Sequence, residues 1–141
     1  MFKKGILGLV ISLGLTTGLA ANDTLKADMA RLAKSVSVAQ AGFLANDKAM
    51  TLAGVIQLKK DVKEILGDEK SIKALLPEEI QYKSSIATNT AQMIEKYAGQ
   101  IETTLNDRSM RMINQQMRTQ TAFTEILDQC FRCHNLVRDW K

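Results

Sequence analysis

Apolar residues recur every three or four positions in four separate stretches of this chain, and nowhere alternate as a half-buried strand would. In the first stretch they fall at Leu25, Met29, Leu32, Val36, Ala39 and Phe43, in steps of 4, 3, 4, 3 and 4. That is the seam of a helix packed nearly parallel to its neighbours. Asn46-Asp47 then reads as a turn, one of the pair capping the next helix.

The second helix is predicted over 47–66, with Leu52, Val55, Ile56, Val62, Ile65 and Leu66 buried. Lys59, Lys60, Asp61, Lys63 and Glu64 are expected to cover its other side, and Gly67 to stop it. The connection 67–79 contains the only proline, Pro77, and has room for a short helical turn over 71–76. The third helix starts between Pro77 and Ser84. Its inner stripe is Ile86 or Ala87, Ala91, Ile94, Ala98, Ile101 and Leu105, and Asn106-Asp107 breaks it. The fourth is predicted from Arg108 to the end. Ile113, Met117, Phe123, Ile126, Leu127, Cys130, His134 and Val137 mark its inner face. Gly42 and Gly54 are candidates for close helix approach.

Four long helices with mostly short connections predict an all-α fold, an antiparallel up-down-up-down four-helix bundle. The composition agrees: one proline, 5% aromatic residues, and hydrophobic residues at 45%, enough for a core.

The amino end reads as an export signal. Lys3 and Lys4 precede a short apolar run over 6–15, and Ala20 and Ala21 offer small residues for cleavage. The expected division is a cleaved signal over 1–21 and one helical domain over 22–141, in the periplasm. An uncleaved anchor is the alternative, and no other stretch is apolar enough to span a bilayer. Losing Lys3 and Lys4 lowers the formal charge from +4 to +2. That is too weak for nucleic-acid binding, and no basic stripe with interleaved aromatics is present.

Cys130-Phe131-Arg132-Cys133-His134 has the C-x-x-C-H spacing of c-type haem attachment. On a helix, positions i, i+3 and i+4 share one face. Two thiols can therefore reach two vinyl groups of one porphyrin while the imidazole meets its iron. One covalent haem c, with His134 as proximal iron ligand, is the expectation. A thioredoxin-like disulfide needs its C-x-x-C at a helix start after a strand, and no strand pattern exists here. A zinc site needs four ligands, and two Cys and one His leave it short.

A second axial ligand has to come from upstream, because His134 is the only histidine and no Met follows it. Met29 stands on the inner stripe about one turn into the first helix. In an antiparallel bundle this level meets that of His134. Met93 is the weaker rival. Met29 as an iron ligand and Met29 as a wall of the distal side both remain open. Met110, Met112 and Met117 do not repeat on one face, so core and helix-former usage is expected of them rather than a copper site.

Taken together, the sequence resembles the class II c-type cytochromes, which include cytochrome c-prime and its six-coordinate relatives. The features are an export signal, four helices, Cys130-x-x-Cys133-His134 near the carboxyl end, Arg138 four residues beyond His134, and Met29 at the family's distal place. The resemblance covers the mature chain, but only the C-x-x-C-H motif is highly specific. Val137 departs from the aromatic often found before the late arginine, and no clear counterpart of the arginine near the distal residue is present.

The resemblance implies a periplasmic haem protein and not an enzyme. A distal Met implies a one-electron carrier serving periplasmic redox proteins. An apolar distal wall implies a five-coordinate binder of nitric oxide or carbon monoxide. Arg138 is expected either to tune the haem side or to be a solvated charge at a helix end. Monomer and homodimer both stay open. A peroxidase would need a distal acid–base group, and no second histidine exists.

Overall fold

The computed structural model describes residues 17–137, and side-chain surroundings from residue 23 onward. Residues 1–16 of the signal expected over 1–21 therefore lie outside the described residues, as does Arg138. The described residues form helices joined by short turns, with no strand among them. The helices are α1 (Thr17–Leu44), α2 (Lys48–Leu66), α3 (Glu69–Leu75), α4 (Ser84–Asn106) and α5 (Met112–Val137); a 3-10 turn over Glu78–Lys83 precedes α4.

Local chemistry explains most boundaries. Asn46 takes a left-handed φ of 51°, which its short polar side chain tolerates. The Asp47 N–H then donates to the Gly42 carbonyl at 2.8 Å and the Asn46 N–H to Phe43 at 3.1 Å, closing α1 with a Schellman motif. Asp47 also caps α2, its Oδ1 accepting from the Met50 N–H at 2.9 Å. One residue thus ends a helix and begins the next, which folds α2 back on α1. Asp68 caps α3 through the Ser71 N–H at 2.9 Å. The Ser84 hydroxyl, at the start of α4, donates to Glu69 Oε1 at 3.1 Å, tying α3 to α4.

Close packing joins α1 to α2, α2 to α4 and α4 to α5. The antiparallel α1–α2 contact depends on two glycines. A Cβ on Gly42 would lie 2.6 Å from Thr51 Oγ1 and 2.8 Å from its Cα; one on Gly54 would lie 2.7 Å from Ala39 Cα. Only glycine allows so close an approach. Thr90 with Cys133 and Tyr97 with Glu125 show that α5 runs antiparallel to α4. The core is Ala39 from α1; Val55, Leu58 and Val62 from α2; Ala91, Ile94, Ala98 and Ile101 from α4; and Ala122, Phe123 and Ile126 from α5. Leu58, Ile101 and Ile126 are at most 1% exposed, each contributing about 1.5–3 kcal/mol by burial.

The structure corrects several expectations. Helices number five among the described residues rather than four, because α3 is a full helix inside the 67–79 connection. The last helix begins at Met112, not Arg108. Asp107 Oδ1 accepts from the Ser109 N–H at 2.9 Å and its hydroxyl at 2.6 Å, an Asx-turn that competes with helix over 107–111. Ile56, Ile113 and Met117, expected inside, are 50%, 57% and 62% exposed.

Asp61 is the reverse case, expected on the solvent side but only 2% exposed. The Ser35 hydroxyl donates to its Oδ2 at 2.7 Å and Gln57 Nε2 to its Oδ1 at 2.8 Å. Arg31 Nε lies 3.4 Å from Oδ1 and reaches Glu64 at 3.2 Å. With its carboxylate so satisfied, burial is tolerable, and the network fixes how α1 lies on α2.

Candidate functional site

Cys130, Cys133 and His134 occupy the last two turns of α5. Nothing in 112–137 interrupts that helix: it has no proline or glycine, and Ala122, Phe123 and Ile126 are buried along it. Both cysteines are free thiols, half-buried, and packed against the edge of the core. His134 is exposed.

The cysteines face α4. The Thr90 side chain, itself buried, lies beside Cys133. Burial first, and the neighbouring Cys133 second, push the Cys130 thiol up to about 11. Burial also raises Cys133, partly offset by Thr90. Both stay protonated near neutral pH, unlike the lowered thiols of disulfide oxidoreductases at helix N-termini. One turn earlier, burial first and the Glu125 carboxylate second raise the Tyr97 hydroxyl on α4, and Arg132 pairs with Asp128 at 2.6 Å.

Met29 is half-buried on α1 and packs against the core edge, as do Leu32 and Val36. α1 and α5 are not closely packed backbone to backbone, but their side chains meet at one end. There the rings of Phe43 and Phe123 lie 4.9 Å apart, and Gln116 Nε2 donates to Asn46 Oδ1 at 2.9 Å. Ascending α1 means descending α5 in these two contacts. Carried along both helices, that register sets Met29 level with the 133–137 stretch. Toward this level Met29, Leu32 and Val36 of α1 and Leu127, Cys130, Cys133 and Val137 of α5 are all only partly buried. A rim of partly exposed apolar groups with two thiols on one side suits a flat apolar ring bonded through sulfur.

Among the described residues no three His, Cys, Asp or Glu side chains cluster to hold a metal ion directly. The haem reading asks less of the chain than zinc does, since its sulfurs bond to the ring and only His134 is required at the metal. Two surface depressions, about 290 Å³ beside Asp61 and about 530 Å³ beside Tyr97, include none of Met29, Cys130, Cys133 or His134. Met93 is half-buried on α4.

Sequence reasoning missed Thr90 and the Ser35–Asp61 pair. Thr90 was findable, since it falls on the Ala87, Ala91, Ile94 stripe as a polar residue among apolar ones. Asp61 sat among lysines and a glutamate, so nothing in its neighbourhood marked it as buried. Arg138 lies outside the described residues. No family model, curated protein or solved structure matches the chain.

Proposed function

We propose that the chain is an exported, periplasmic c-type cytochrome, a one-electron carrier with a haem bonded to Cys130 and Cys133 and ligated by His134. In this reading α1, α2, α4 and α5 form an antiparallel up-down-up-down bundle of the class II type, with α3 as an accessory. The observation that carries it is the C-x-x-C-H motif late in α5, with both sulfurs against a core built, among the described residues, from helices alone.

The haem, when bound, supplies an iron that alternates between ferric and ferrous. The chain's residues do the rest. Cys130 and Cys133, one turn apart, fix two points of the ring on one helical face. Thr90 orients the Cys133 sulfur from α4. His134 would hold the iron through its imidazole. Met29, on α1, would offer it a thioether, a ligand that favours the ferrous state and raises the potential. Two protein ligands would keep the site alike in both states. Partners of such a carrier are other periplasmic redox proteins.

Ferric and ferrous spectra of the wild type and Met29→Ala, both expressed with a haem-maturation system, test the reading. Low-spin ferric iron with a near-infrared sulfur-to-iron band, lost in Met29→Ala, supports the carrier. A high-spin ferric wild type unaffected by the substitution removes Met29 as a ligand and favours the five-coordinate binder of nitric oxide or carbon monoxide.

A further inference from the structure

The end of the molecule away from the cysteines carries apolar side chains that the core does not use. Leu44, at the end of α1, is 82% exposed; Met112 and Ile113, opening α5, are 71% and 57% exposed. The Gln116–Asn46 hydrogen bond of 2.9 Å holds the α1–α2 turn beside the first turns of α5, so these groups share one tip. Lys48, Arg108 and Arg111 are exposed around them. From Arg108 to Thr124 the chain has three arginines and no acidic residue. Asp47 and Asp107, the acids at this end, are engaged in the turns described above. Among the described residues none of Lys48, Arg108, Arg111 and Arg118 forms a salt bridge.

We propose that this tip docks on an anionic phospholipid surface, with Leu44, Met112 and Ile113 entering the headgroup boundary and Lys48, Arg108 and Arg111 meeting lipid phosphates. Protruding aliphatic groups ringed by unpaired cations suit a bilayer, where apolar burial and headgroup charge act together. A protein partner would more commonly select exposed aromatic anchors, and Leu44, Met112 and Ile113, the exposed apolar groups of the tip named above, are all aliphatic. No described helix is long and apolar enough to cross a membrane, and the proposed contact is made by the surface of this tip alone. The tip holds the Cys130 level clear of the bilayer by the length of α5 from residue 112 to 130, roughly 27 Å. The site therefore faces away from the lipid, open to diffusing partners. This inference stands whether or not a haem is attached.

Flotation of the exported protein, its amino terminus checked by intact mass, on phosphatidylglycerol–phosphatidylcholine vesicles and on phosphatidylcholine alone tests it. Binding to the anionic vesicles is expected to exceed binding to the neutral ones. Arg108→Gln with Arg111→Gln should weaken it about 30-fold, at about fivefold per cation. Met112→Ser with Ile113→Ser should weaken it further while helix content stays unchanged. Equal binding to both vesicle types, or binding untouched by either pair of substitutions, overturns the proposal. So does a lipid-free dimer in sedimentation velocity that Met112→Ser with Ile113→Ser dissolves, since the tip would then be an interface between copies.

Discussion

Substituting alanine at two glycines should move stability in opposite directions, and the difference measures how tightly α1 and α2 approach. In helical geometry alanine is favoured over glycine by about 0.8–1 kcal/mol. At Gly99, in α4, an added Cβ meets nothing within 4 Å, so Gly99→Ala should gain most of that amount. At Gly54 the same Cβ would stand 2.7 Å from Ala39 Cα and 2.9 Å from Ala39 Cβ. Neither atom can swing aside, because both are fixed to the α1 backbone. Ordinary carbon contacts need about 3.5–4.0 Å, so the helices have to part by roughly 1 Å. Overpacking of this kind costs about 1–3 kcal/mol, which exceeds the propensity gain. At about 3–5 °C per kcal/mol for a chain of this size, the two variants should differ in Tm by about 3–15 °C, with Gly54→Ala the lower. Thermal unfolding followed by far-ultraviolet circular dichroism on the same preparation reads it. If Gly54→Ala rises in Tm alongside Gly99→Ala, the close approach of α1 and α2 is wrong.

Ser35→Ala removes a 2.7 Å hydrogen bond to the buried Asp61 carboxylate and should cost about 1.5–3 kcal/mol in urea unfolding; a neutral result would mean the network does not hold α1 on α2. Ile126→Ala, at a fully buried position, should cost about 2–5 kcal/mol, whereas Ile113→Ala, at 57% exposure, should stay within about 0.5 kcal/mol. The haem-free chain should lose stability as pH rises between 9.0 and about 11: the unfolded Cys130 ionises first while the folded thiol stays protonated. Below that window the contribution is intact. Urea midpoints across it should fall less in Cys130→Ala, and equal falls would remove Cys130 as the cause.

Much of the architecture is legible in the sequence because helix periodicity and capping act locally. Asp47, Gly67 and Asn106 mark boundaries through their own backbone chemistry, and the α4 stripe from Ala87 to Leu105 is buried throughout. The errors come where distant packing decides. Asp61 looks like one more surface charge until Ser35 and Arg31, 26 and 30 positions earlier, close over it. Ile113 and Met117 fit an inward pattern, yet the Asx-turn at Asp107 delays α5 and leaves its first turns facing solvent. The C-x-x-C-H spacing is wholly local and readable. The level of Met29 depends on how α1 and α5 meet at Phe43 and Phe123, which no local pattern specifies.

Intact mass of the exported protein, made in a host able to attach haem and stripped with acid–acetone, tests the central claim most directly. The account requires the mature chain plus one haem, a whole haem still held by the remaining thioether in Cys130→Ala or Cys133→Ala, and none when both are replaced. A wild-type chain with no tetrapyrrole surviving that extraction contradicts it.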